Sequence, residues 1–158
     1  YTPFAPGDIV SVGSLYVHTF KKRHDAVDPC SFVVESQGFR VGVMTDIGSV
    51  CDSVTAHVAA CDAIFLESNY DEQMLWDGPY PDYLKVRVAG KLGHLSNAQA
   101  AELIQQHASD RLKHISLSHL SAENNLPNLA LESFKHLEQK HKVVLTNRYA
   151  PADVFTID

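Results

Sequence analysis

From residue 39 onward, short apolar runs alternate with stretches of helical pattern, and this alternation constrains the fold more than any other feature. The runs FRVGVM, DAIFLE, KHISL and VVLT are four to six residues long. That is too short for a typical helix and suits strands buried on both faces. Between them, residues 50–60, 81–89, 96–109 and 126–140 read as helices, with a helical turn in 69–76. Asp52 or Ser53 is positioned to cap the first. Pro81 and Pro127 fit the first turns of the second and fourth. Ser96-Asn97-Ala98-Gln99 is a capping-box pattern opening the third. Upstream, residues 1–8 read as loop and 9–20 as one or two strands with a turn at Gly13-Ser14. Residues 31–35 and 39–45 form a hairpin around Ser36-Gln37-Gly38. A last strand is expected over 154–157. The expected class is α/β: a mixed sheet with flanking helices, in one domain spanning 1–158.

The chain has 158 residues, a net charge of −6 and 45% hydrophobic content, ample for a core. No apolar run approaches the roughly 18 residues of a membrane helix, and the reading is a cytoplasmic protein with no membrane partner. Its acidity argues against bulk electrostatic binding of nucleic acid, but not against local binding around metal ions. Lys21-Lys22-Arg23 and Lys85/Arg87/Lys91 could supply such local contacts, but the favoured reading of each is ordinary solvated side chains. The three cysteines, Cys30, Cys51 and Cys61, lack CxxC spacing and are expected as free thiols.

Candidate chemistry gathers where the chain leaves its strands. His24 lies in HDAVDP beyond the first strands, with Asp25 and Asp28 beside it. Asp46 follows RVGVM in TDIG, where a carboxylate must be solvated, cap the next helix or bind something. His94 lies in GHLSN, two residues ahead of Ser96 and so near a helix N-terminus, where an anion such as phosphate is favoured. His119 follows HISLS and precedes the polar loop LSAENN. Imidazole and carboxylate suit Zn-, Mn- or Fe-like ions. His18, His57, His107, His114, His136 and His141 fall inside strand or helix patterns and are expected to have no such role.

In this order, HDAVDP, TDIG, ESNYD, GHLSN and SHLSAENN resemble the metallo-β-lactamase-fold hydrolases. The resemblance is to the bacterial branch related to RNase Z and the cyclic-phosphodiester hydrolases, including a group of DNA 5′-exonucleases, and covers residues 17–147. It implies two divalent metal ions, with His24 on the first, His119 on the second and Asp46 bridging both. It implies that His94, 25 residues before His119, contacts phosphate and protonates the leaving oxygen instead of binding metal. Asp46 and His94 are then the catalytic pair, and Asn69, Asn97 and Asn125 shape the substrate pocket or the groups behind it.

One departure is large. The family's HxHxDH motif, which supplies four ligands, is absent from this sequence. The resemblance is therefore to the C-terminal part of a four-layer αββα fold. It implies a partner segment carrying HxHxDH, in the same polypeptide or a second one, and Tyr1 rather than Met at the start accords with this. The expected activity is metal-dependent hydrolysis of phosphodiesters, with nucleic acid as substrate. Hydrolysis of a small cyclic phosphodiester, thioester or lactone is the alternative within the fold. A catalytically silent remnant or binding subunit is the alternative outside catalysis. A homo-oligomer is compatible with all three.

Overall fold

The computed structural model describes residues 3–157. Tyr1, Thr2 and Asp158, and with them the start of the expected first loop and both ends of the expected domain, lie outside the described residues. Seven strands form one sheet in chain order: β1 Ile9–Val12, β2 Leu15–Lys21, β3 Cys30–Ser36, β4 Phe39–Met44, β5 Ala63–Glu67, β6 His114–Ser118 and β7 Lys142–Leu145. β1 to β4 pair antiparallel, as hairpin-linked strands can. β4 to β7 pair parallel, their crossovers filled by helices. The helices are α1 Asp52–Ala60, α2 Glu72–Asp77, α3 Asp82–Val88, α4 Asn97–His107 and α5 Pro127–Phe134.

Register divides the sheet into two faces. Val33, Ile64 and Ile115, with Met44, Leu66 and Leu117, lie beneath Val54 and Val58 of α1, Leu103 and Ile104 of α4, and Phe134 of α5, all fully or almost fully buried. The opposite face carries Phe32, Val43, Phe65, Ser116 and Val144, each paired with the next across the ladder. Its cover is thin. Phe4 meets Phe32 edge-on at 6.1 Å, Phe155 meets Phe65 at 6.4 Å, and Val43 stays 36% exposed.

The structure corrects several expectations. α1 starts at Asp52 behind Cys51, and no side chain caps it. Pro81 stands just ahead of α3. The fourth helix does not run to 140. It gives way to a 3₁₀ turn, Lys135–Leu137, because the chain must bend back for Lys142 N–H to reach Lys113 O (2.7 Å), and His141 Nδ1 pins the bend on Leu112 O (2.8 Å). Residues 154–157 form no strand; Phe155 lies flat on His114 at 4.7 Å instead. Two lysines expected in solvent are buried. Lys22 Nζ donates to Thr45 O and Lys85 Nζ to Trp76 O, both at 2.6 Å. The three cysteines are free.

Candidate metal centre

The C-terminal ends of β4, β5 and β6 share one rim because these strands are parallel. β2 runs the same way, being two antiparallel pairings from β4. His24 beyond β2, Asp46 beyond β4, Glu67 closing β5 and His119 just beyond β6 therefore meet at this rim, where open α/β sheets place their ligands. His94 arrives from the loop between α3 and α4. Asn69 N–H donates to Leu95 O (3.0 Å) and Asn97 N–H to Tyr70 O (2.8 Å), which ties that loop to the end of β5.

Glu67, fully buried, organises the site. Its Oε1 accepts from His119 Nδ1 (2.7 Å), His94 Nδ1 (2.8 Å) and Asp46 N–H (3.1 Å). Its Oε2 accepts from Ile47 N–H (2.8 Å) and Leu95 N–H (3.1 Å). Burial alone would push this carboxyl up. The hydrogen bonds from His119 and His94, with the charge of His94 and the Leu95 amide, together outweigh burial and hold it down at about 2. The same contact raises His119 above the ordinary imidazole value, against the opposing effect of burial. With Nδ1–H of both rings committed to Glu67, each Nε2 faces away from it. The capping box of α4 closes as expected, Ser96 Oγ accepting from Gln99 N–H and Gln99 Oε1 from Ser96 N–H. A carboxylate, and not only the helix end, thus sets the His94 ring.

His24 is held the same way by a different acceptor. Its Nδ1 lies 3.0 Å from Gly93 O, and its Nε2 is 3.5 Å from Asp25 Oδ1 and 3.8 Å from Asp46 Oδ1. Gly93 packs against the end of α3, where a Cβ would strike the Val88 and Arg87 carbonyls. The three rings stand in a row, with His94 5.2 Å from His24 and 5.3 Å from His119.

Asp46 (φ 54°) and His119 (φ 57°) both occupy the left-handed backbone region. Non-glycine residues pay for that conformation, and it persists where surroundings over-determine it. Here Glu67 holds the Asp46 amide and Asn69 Nδ2 donates to His119 O (2.8 Å). Lys22 holds Thr45 O and stands 4.0 Å from Asp46 Oδ2.

His24, Asp46, His94 and His119 line a cleft of about 440 Å³ together with Tyr80, Leu84, Arg87, Leu120, Ser121 and Arg148. Of the asparagines singled out in the sequence, Asn69 lines the cleft. Asn97 and Asn125 are buried beneath it, exchanging Nδ2–H···Oδ1 bonds at 2.9 Å in both directions, and Asn125 also holds Ser68 O and Asn69 O. They brace the loops and do not face the cleft.

The donor set fits a divalent metal ion. One ligand-capable atom from each of Asp46, Glu67, His94 and His119 lies within 4.8 Å of all the others. Glu67 is nevertheless unsuited to coordination, since five donors already occupy its two oxygens. Its place is behind the ligands, as in carboxylate–histidine–metal arrangements. Asp46 Oδ1 lies 3.6 Å from His119 Nδ1 and 3.8 Å from His24 Nε2. Sequence reasoning placed Glu67 in a buried strand and gave it no role. The signal was available: like Asp46, it is a carboxylate at the C-terminal end of an apolar run.

Comparison with known proteins adds to this geometry. Residues 1–115 match the model of the β-lactamase superfamily domain. Over 138 residues the chain is 35% identical to exodeoxyribonuclease YycJ of Bacillus anthracis, covering 87% of this chain and 52% of that protein. The chain thus spans about half the length of the curated relatives it matches. Its fold is similar to the metallo-β-lactamase fold protein YhfI of Bacillus subtilis, with TM-score 0.64, 17% identity, and coverage of 91% of this chain and 52% of that one. It is also similar to the short form of human tRNase Z, with TM-score 0.57, 16% identity, and coverage of 93% and 45%.

Proposed function

The chain belongs to the β-lactamase superfamily, and from that premise we propose that it is the C-terminal portion of a metal-dependent phosphodiesterase that degrades DNA. One observation carries the proposal: a single buried carboxylate oxygen, Glu67 Oε1, accepts from Nδ1 of both His94 and His119. This leaves Nε2 of each ring uncommitted to Glu67. The exodeoxyribonuclease activity of the relative supports the choice of substrate.

In this reading His24 holds one divalent ion, His119 a second, and Asp46 lies between them, with Zn, Mn and Fe all suited to the donors. Bound there, the ions would supply Lewis-acid stabilisation of the phosphoryl oxygens. His94 stands between the two ligand rings with its Nε2 turned to the cleft. From that position it donates a proton to the departing oxygen, while Glu67 stabilises the charged ring. Asn69, lining the cleft, braces His119 through its carbonyl.

Three protein ligands fall short of the four to six groups that each such ion collects. We therefore include a partner segment bearing HxHxDH, upstream in the same polypeptide or in a second chain. The thinly covered sheet face of Phe32, Val43 and Phe65 is where a second sheet would pack. Residues 1–158 then belong to one larger domain. No described helix is long and apolar enough to cross a membrane, and a cytoplasmic location accords with the reduced cysteines.

Metal content and turnover of the complete protein test the reading. We expect bound divalent ions, release of nucleotides from 5′-phosphorylated duplex DNA, and loss of both on chelation. Turnover of a cyclic phosphodiester but not DNA would move the substrate class. A complete protein without bound metal would refute the proposal.

A further inference from the structure

The metal cleft does not end at His119. Leu120, Ser121 and Arg148 form a shared wall, and beyond it lies a second hollow of about 550 Å³. This hollow is lined mostly by apolar groups: Leu126, Pro127, Leu145 and the ring of Tyr149. Leu126 is 47% exposed and Tyr149 is 91% exposed, so an aromatic ring and an aliphatic side chain face solvent together beside the proposed active centre. The chain is anchored there. Thr146 donates through both N–H (2.9 Å) and Oγ1 (3.1 Å) to Leu117 O, and Asn147 Oδ1 accepts from Tyr149 N–H (2.8 Å).

Charge at the shared wall is distributed unevenly. Two cations line the metal cleft, Arg87 and Arg148. Arg87 is already matched by Asp25 at 2.6 Å. Arg148 has no carboxylate within 4.0 Å among the described residues, and its Nη2 donates to Leu120 O (3.0 Å), which leaves other guanidinium donors unspent. A cation at the threshold between a polar metal cleft and an apolar hollow with an exposed ring matches one ligand chemistry: phosphate joined to a planar heterocycle.

We propose that the hollow is a nucleotide subsite. It receives the base of the nucleotide adjoining the phosphodiester held at His24, Asp46, His94 and His119. That base stacks on Tyr149 over Leu126, and Arg148 pairs with the intervening phosphate. The proposal rests on the phosphodiesterase reading and adds what holds the substrate in place. An aromatic ring stacks on any base, so the subsite confers grip without sequence preference.

The test is kinetic, in the complete protein, with a short 5′-phosphorylated DNA oligonucleotide and the same oligonucleotide made abasic at its terminal nucleotides. Base–aromatic stacking is worth enough that Tyr149→Ala should lower kcat/KM on the ordinary oligonucleotide by roughly 5- to 100-fold. On the abasic one it should change nothing, and Tyr149→Phe should behave as wild type on both. Arg148→Gln should weaken both substrates alike, since both keep their phosphates. Equal losses for Tyr149→Ala on the two substrates, or none on either, would overturn the subsite while leaving the phosphodiesterase reading intact. A wild-type protein that binds metal yet cleaves neither oligonucleotide would overturn the nuclease reading, and the subsite with it.

Discussion

One strand, β5, has a carboxylate at each end, and the two have opposite fates. Asp62, just before the strand, accepts from Arg40 N–H (2.8 Å) and from Arg111 Nη2 (3.0 Å). Glu67, at the strand's other end, accepts three backbone amides and two histidines. Each carboxylate ties neighbouring loops to the sheet by the same hydrogen-bonding logic. The difference lies in the partner. A guanidinium is always charged and only donates, so the contact at Asp62 closes on itself. An imidazole that gives one N–H to Glu67 still offers a second nitrogen as an acceptor. The arginine end of β5 is a fastening, and the histidine end is a fastening that leaves the second nitrogen of each ring, one for metal on His119 and one for proton transfer on His94, uncommitted.

Substitutions along this strand and its partners should separate the two ends. The largest effect is expected from His94→Ala: turnover falls by about 10²–10⁴, the scale of a lost general acid, while metal content stays unchanged. Metal loss in that variant would move His94 from proton donor to ligand. Next comes Glu67→Gln, which turns an amide group toward donors that need an acceptor. Metal affinity, followed by calorimetry, should weaken about 10- to 100-fold.

Acid should act on the same residue in the metal-free protein. The Glu67 carboxyl is held at about 2, below its ordinary 4.5, so its stabilising contribution is complete above pH 4.5 and lost as pH falls toward 2. Denaturant unfolding at stepped pH should show that loss, and Glu67→Gln should remove most of it over this interval. The smallest effect is expected from Asp62→Asn, about 1 kcal/mol of stability with no change in metal affinity. A change in metal binding there would erase the contrast between the two ends.

Much of the rim was legible in the sequence because strand ends announce themselves. His24, Asp46 and His119 each follow an apolar run, and the parallel order of β4 to β6 converts that spacing into proximity. Glu67 carried the same mark but was absorbed into its strand, since a carboxylate closing a buried run looks like the run's last residue. Asn97 and Asn125 were legible as polar loop residues, but not as a pair bonded to each other, because pairing across 28 residues has no local signature. Lys22 was misjudged for a related reason. Its neighbours Lys21 and Arg23 make a charged run that reads as solvated, while only the middle residue, just past the end of β2, turns inward to Thr45 O. The fourth helix and the last expected strand failed where tertiary anchors, His141 on Leu112 and Phe155 on His114, overrode local pattern.

The central claim is that Glu67 fixes which nitrogen each histidine presents. Nitrogen-15 spectra of the imidazole rings in the complete protein test it directly as zinc is added. The account predicts that His94 and His119 carry their proton on Nδ1 throughout, and that zinc perturbs Nε2 of His119 and His24 while Nδ1 keeps its proton. A zinc-induced loss of the Nδ1 proton of His119 would contradict it.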